Sequence, residues 1–309
     1  MLVVCGEALV DVFVTAPAGR GISMQAHTGG SPFNVAIGLA RLARPSSLLC
    51  AISRDLLGTT LVRKLEEEGV STGTLVRTPA PTTISLVGLD ASGVPSYTFY
   101  GTEGADRQLT AATLPPVPAG TRAFHFGSYA MVVEPTASAL RTLIAAQFRH
   151  VVISYDPNVR LNVEPSLARW TETLEWMLPR THLLKVSEED LTLLYPGHDL
   201  GSLAAAWLAH GVRLLVVTRG AAGAVAWTRG ARIDVPGVPT TVIDTVGAGD
   251  SFQAALLAWL DEHDLLNEGA LAAIDQTRVQ TAVRFAATAA AITCSRAGAD
   301  LPRRSELPR

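Results

Sequence analysis

VIDTVGAGDSFQAALLAWL, residues 242–260, is the stretch on which the reading of this chain turns. Two glycines bracket one alanine, a carboxylate follows at once, and an apolar helical pattern begins. Phe252, Ala255, Leu256, Trp259 and Leu260 share one helical face, so the helix is predicted to be anchored in a core. Glycines at its start allow close backbone approach. They also leave N–H groups free at the positive end of the helix dipole, which suits an anion. The amides of Gly247, Ala248 and Gly249 would form that hole, with Asp250 beside it. A carboxylate next to a bound anion is repelled, which is odd for binding alone. It makes sense if Asp250 takes a proton from a nucleophile while the amides hold developing charge, the arrangement for phosphoryl transfer to an alcohol. The plainer reading of Asp250 is an acid that merely favours a helix N-terminus.

Other motifs fail on spacing. A dinucleotide fingerprint needs a third glycine where this chain has Phe252. A Walker loop needs a Gly-Lys pair, which is absent, as are G-x-S-x-G and H-E-x-x-H. Composition narrows the class further. The 309 residues are 48% hydrophobic and 17% charged, enough for a sizeable core. A net charge of −3 with no basic block argues against nucleic acid as a partner. Only Lys64 and Lys185 are lysines, so an anion site is expected to lean on arginine, backbone amides or metal. Cys5, Cys50 and Cys294 lack zinc-site spacing and read as free thiols in a reducing cytoplasm. No apolar run reaches membrane-spanning length, and MLVVCGEALVDVF reads as a strand, not a signal peptide.

Strand-like runs at 2–6, 47–52, 123–127, 151–156, 182–186, 213–218 and 224–227 alternate with helical patterns at 34–43, 59–69, 135–148, 200–211 and 251–260. That alternation predicts an α/β fold with a mostly parallel sheet. Segments 11–30 and 82–101 break the pattern with short β-runs and turn residues, and the second reads as a hairpin around ASG. Together they predict a small β-layer, serving as a lid or a dimer surface. The tail LPRRSELPR is expected to be loose.

GGSPFNVAIGLARLA, residues 29–43, is a second glycine-led helix start. Ser31 fits an N-cap and Pro32 a first helical residue. Asn34 lies in the first turn, where its amide could meet ligand hydroxyls above Gly29 and Gly30; alone, the stretch reads better as an ordinary turn into a helix. A GG…N segment paired with a C-terminal DTxGAGD segment resembles the ribokinase-like (PfkB) carbohydrate kinases. GEALVDVF at 6–13, PTTISLVGLDASGVPSYTFY at 81–100, SYDPNVR at 154–160, KVSEEDL at 185–191 and VVTRGAAG at 216–223 fall in the family's order, and look most like its bacterial fructokinases.

The resemblance implies a three-layer ribokinase-like domain over residues 1–309, with Asp250 as catalytic base and Gly247, Ala248 and Gly249 holding the transferring phosphoryl group. It implies sugar contacts from Asp11, Gly29, Gly30, Asn34, Phe99 and Arg160. The nucleotide would be met by Lys185, Ser187, Thr218, Gly220 and Gly223 as well as Gly247 and Gly249. ATP and Mg²⁺ are the implied cofactors. The family's N-x-x-E motif, which orders Mg²⁺ through water, maps onto Ser187–Asp190, with Asp190 or Glu189 as the acid. Asp244 and Thr245, with the backbone near Arg296 and Gly298, resemble the family's monovalent-cation site, for K⁺. A small-molecule sugar and ATP are the implied partners, and the β-layer suits a homodimer.

Fructose leads among sugars. Relatives that phosphorylate 2-keto-3-deoxygluconate carry an arginine just after the strand that ends here in Phe99-Tyr100. This chain has Gly101 there, with Arg160 and Arg107 as the alternative arginines. Phe33, Tyr97 and Phe99 are candidate pocket walls. The seven histidines show no shared spacing and are assigned no role. A nucleoside kinase, a sugar-binding sensor that has lost catalysis and a dehydrogenase are the competing readings. The intact Asp250 argues against the sensor and the missing third glycine against the dehydrogenase.

Overall fold

A computed structural model describes residues 1–18, 21–89 and 95–308. The strands are β1 (Leu2–Cys5), β2 (Leu9–Ala18), β3 (Gly21–Gly29), β4 (Ser46–Ser53), β5 (Leu75–Thr78), β6 (Ile84–Leu89), β7 (Pro95–Tyr100), β8 (Ala123–Gly127), β9 (Val152–Asp156), β10 (Leu183–Ser187), β11 (Leu214–Thr218), β12 (Ala224–Thr228) and β13 (Ala231–Val235). The helices are α1 (Ser31–Arg41), α2 (Leu56–Glu67), α3 (Thr136–Gln147), α4 (Leu167–Met177), α5 (Glu188–Leu194), α6 (Leu200–Ala209), α7 (Ala248–Glu262), α8 (Glu268–Ala272) and α9 (Gln276–Cys294).

Among the described residues, nine strands form one sheet in the order β13-β12-β11-β10-β9-β8-β1-β4-β5. It is parallel from β5 to β11, and β12 and β13 add an antiparallel edge. Its strands lack an apolar–polar alternation because both faces are covered. Val4, Leu48, Val152, Leu183 and Val216 point into one core with α1, α2, α7 and α9. Their neighbours Val3, Leu49, Ile153, Leu184 and Val217 point into the other, with α3, α4 and α6. The order reverses at β1, which lies between β4 and β8. In open α/β sheets, ligands bind beyond the strand C-termini at such a switch point.

The interrupting segments build a second sheet, β3-β2-β6-β7, beside those C-termini. β6 and β7 pair antiparallel, as the hairpin reading expects, although the ASG turn falls outside the described residues. In the row of directly paired residues His27–Asp11–Ser85–Phe99, Asp11 sits centrally.

Three expectations need correction. Ser31 is not the N-cap of α1; Gly30 is, at φ 105°, and Ser31 is the first helical residue. Phe33 is fully buried in the core and walls no pocket. The C-terminal tail is docked rather than loose: Leu301 and Leu307 are buried, and Arg303 and Arg304 pair with Glu68 and Glu262. Glu68 also accepts Arg41 at 2.6 Å and Lys64 at 2.8 Å, and these partners hold its carboxyl down at about 2. The tail therefore braces α1 from behind, because Arg41 also donates to the Leu301 carbonyl at 2.6 Å.

Candidate active site

The two glycine-led helices meet. At Gly38 of α1, an added Cβ would lie 2.6 Å from Leu301 and 2.7 Å from Ala254 of α7, so the crossing requires the absence of a side chain. This close approach sets the two helix starts side by side. Ser31 donates to Asp250 Oδ1 at 2.6 Å, and Asn34 donates to Oδ2 at 2.8 Å. Both carboxylate oxygens are thus oriented by α1. Burial raises the Asp250 carboxyl above the ordinary range; the Ser31 and Asn34 bonds and the charges of Arg160 and Lys185 oppose that rise.

Gly247 caps α7 at φ 76°, a left-handed conformation that a side chain resists, and an added Cβ would press on Ala299 at 2.6 Å. The amides of Gly247, Gly249 and Asp250 meet no protein acceptor among the described residues. Ala248 departs from the expected anion hole, since its N–H is taken by the Thr245 carbonyl at 3.2 Å. Lys185, one of the residues expected to meet the nucleotide, lies at this helix start. Lys185 Nζ lies 3.4 Å from the position a Cβ would take at Gly249, and it pairs with Asp156 at 2.8 Å, both side chains being buried. Asp156 ends β9 and keeps Oδ1 without a protein partner.

Asp11 reaches over from the second sheet, its carboxylate filling the space beside Gly29. Burial raises its pKa; Ser85, Arg160 and His27 work against this, and the Asp250 charge adds to it. Arg160 is exposed, makes no ion pair among the described residues and donates to its neighbour's carbonyl, Val159 O, at 2.9 Å. Its charge is felt at Glu7, Asp11, Asp190 and Asp250 alike. Phe99 meets Tyr129 edge-on at 6.3 Å, so it packs the second sheet onto the body beside the site. The side chain of Tyr97 lies outside the described residues.

Between the two acids considered for the magnesium motif, Asp190 is buried and Glu189 is exposed. Asp190 accepts the Val159 amide at 3.2 Å, and burial followed by the Asp156 charge lifts it to about 6. Ser187 accepts the Asp190 amide as the cap of α5. Thr218 ends β11, and the loop carrying Gly220 and Gly223 turns tightly enough that Arg219 N–H donates to Gly223 O at 2.7 Å. Asp244 accepts amides of Val246 at 3.0 Å and Gly298 at 2.8 Å, which brings that predicted pair together. Arg296 turns its side chain away to Asp300 and Glu306, leaving its backbone as the part near this loop. Gly101 has a structural reason: a side chain there would collide with Thr83.

Ser31, Ser85, Asp156 and His27 were missed as site residues. Strand pairing with Asp11 brings in Ser85 and His27, and only the α1–α7 crossing brings in Ser31.

A glycine-lined helix start beside an oriented carboxylate, at the switch point of a parallel sheet under a small β-layer, is the architecture of a ribokinase-like phosphotransferase. The chain belongs to the pfkB family of carbohydrate kinases, which it matches over residues 1–306. It is 34% identical to a fructokinase of Rhizobium leguminosarum bv. trifolii, over 89% of this chain and 84% of that protein. The fructokinase of Xylella fastidiosa with bound ATP superposes with a TM-score of 0.88 at 28% identity, covering 99% of this chain and 96% of that one. A double mutant of the Vibrio cholerae O395 fructokinase, bound to fructose, ADP and a potassium ion, gives 0.81 at 28% identity, covering 96% and 93%.

Proposed function

We propose that the chain transfers the γ-phosphoryl group of ATP to the primary hydroxyl of D-fructose, giving fructose 6-phosphate, and that residues 1–309 act as one kinase unit. The observation that carries this is Asp250, held by Ser31 and Asn34 at the glycine-lined start of α7 and facing Asp11 of the second sheet. Asp11, with Gly29, Gly30, Asn34, Phe99 and Arg160, would bind the sugar, the carboxylate accepting from its hydroxyls. Asp250 takes the proton of the attacking hydroxyl, and the helix-start amides with Lys185 receive the charge of the transferring group. Thr218, Gly220 and Gly223 would line the nucleotide. Closure of the β-layer would exclude water, the competing acceptor.

Mg²⁺ suits the free oxygen of Asp156 and the buried Asp190, since it prefers oxygen ligands and keeps several waters. When bound, it would neutralise phosphate charge. The loop of Asp244, Thr245 and Gly298, with Arg296 alongside, would hold a monovalent cation, K⁺, as a structural ion. No helix among the described residues is long and apolar enough to cross a membrane. Three free thiols, two of them buried, suit the cytoplasm.

Fructose is favoured by the nature of the relatives, and Gly101 leaves no room for an arginine at that position. Arg160, without a carboxylate partner among the described residues, keeps an acid sugar on the panel. ADP release by the purified protein with Mg²⁺-ATP should be strong with fructose and weak with 2-keto-3-deoxygluconate, ribose, tagatose and adenosine. Strong turnover of 2-keto-3-deoxygluconate with none of fructose would replace the sugar. Sugar binding without any turnover would point to a sensor.

The outer face of the second sheet carries exposed Val14, Ile22, Met24 and Tyr100. They lie on the face opposite Asp11 by the pairings Val14↔Met24 and Ile84↔Tyr100. A second copy of this chain would cover them and protect the sheet edges. Sedimentation velocity should show a dimer that Met24→Asp converts to monomer; a wild type monomeric at tens of micromolar would end this reading.

A further inference from the structure

Four connections join the second sheet to the body, and a buried polar cluster touches all of them. Glu7 lies between β1 and β2, and its carbonyl is 2.9 Å from where a Gly30 Cβ would sit, at the β3–α1 joint. Thr83 leads into β6 and donates to Asp106, which lies in the turn that follows β7. Ser128 and Tyr129, after β8, supply the body side: the Ser128 side chain acts to lower the Glu7 carboxyl, and the Tyr129 hydroxyl feels both acids.

Glu7 is 2% exposed and Asp106 1%. Among the described residues, Glu7 Oε2 and Asp106 Oδ2 have no hydrogen-bond partner and neither acid makes an ion pair. Two neighbouring buried carboxylates without a paired cation are too costly to remain both ionised, so the cluster must hold a proton. Burial raises Asp106 as well, but the Thr83 hydroxyl donates to it, and Tyr129 and the adjacent Arg107 also oppose that rise, so Asp106 has the better claim to the charge.

We propose that Glu7 is a positioning residue that works as the neutral acid, fixing the joint through which β2 carries Asp11 over the sugar. The path is short: Asp106 holds Thr83, the Thr83 carbonyl accepts the Val10 amide at 3.0 Å, and Asp11 is next in the chain. Burial lifts Glu7 to about 8, with Asp106 adding to the rise and Ser128 and Arg160 opposing it. The other titratable neighbours, Tyr129, Cys5 and Cys50, are pushed up by burial and stay neutral below that pH, and the cations acting on the two acids are Arg107 and Arg160. Loss of the Glu7 proton therefore puts a second anion into the joint.

The inference rests on the sugar-kinase reading, so its test has one arm that does not. In the kinetic arm, the fructose KM of the wild type should rise several-fold between pH 7.5 and 9. Glu7→Gln, which is neutral at all pH, should match the wild type within about two-fold at pH 7 and stay flat. Glu7→Ala should raise the fructose KM about ten-fold while moving the ATP KM and saturated kcat little. In the second arm, urea midpoints are followed against pH. A carboxyl raised on folding stabilises fully below its unfolded pKa and loses that contribution as pH rises through its folded value. The wild-type midpoint should therefore fall relative to Glu7→Gln from about pH 4.5 to about 8. A Gln variant that behaves like Ala, or parallel pH curves in both arms, would overturn the proposal. A wild type that phosphorylates no sugar yet shows the stability difference would sink the kinase reading and leave the neutral acid standing.

Discussion

Asp250→Asn should lower kcat by about 10³-fold and leave the fructose Kd within a few-fold of wild type. The substitution keeps the shape at the start of α7 and removes only the capacity to take a proton. One oxygen can still accept from Ser31, whereas the new amide faces the Asn34 amide, so a local adjustment is expected there. Asp11, in the other sheet, would hold the sugar independently. Single-turnover kinetics with Mg²⁺-ATP and fructose would separate the chemical step from binding. A variant within ten-fold of wild-type kcat would remove Asp250 as the base and leave it a helix-start acid.

Lys185→Met should cost about 10²- to 10³-fold in kcat, the scale seen when one preorganised donor to a transition state is lost. Stability falls too, because Asp156 is left as a buried unpaired anion, at a cost of about 3–5 kcal/mol. The two effects are separable. Lys185→Met combined with Asp156→Asn removes the stranded charge and should recover most of the thermal midpoint without recovering turnover. If turnover returns with stability, Lys185 is only the structural partner of Asp156, and the charge at Gly249 belongs to the amides alone.

Much of this site was legible because glycine-led helix starts have short-range signatures. GAGD and GG…N each announce themselves within a few residues. What joins them does not. Ser31 reads as a cap from its neighbours, but it reaches Asp250 because Gly38 lets α1 press against α7, a fact about packing between distant segments. Lys185 was counted with the nucleotide set, yet its position beside Gly249 depends on the order of β9 and β10 and on the docking of α7. The long helix α9 was missed because an alanine-rich stretch carries little periodicity to read. The tail was misjudged for a different reason. As a chain terminus it reads as loose, but Leu301 and Leu307 are core residues and its arginines find the carboxylates of Glu68, just after α2, and Glu262 of α7.

The bond from Ser31 to Asp250 spans 219 residues of chain. Contacts of such separation carry the largest loop-closure entropy and contribute to slow folding. The candidate centre is therefore assembled from segments near the two ends of the polypeptide, through a seam that depends on Leu301 packing against Gly38. Any partly folded form that lacks this seam holds its glycine motifs but not its oriented carboxylate. Catalytic competence is thus tied to completion of the whole fold: the protein cannot present a working phosphoryl-transfer centre while either end is still unformed.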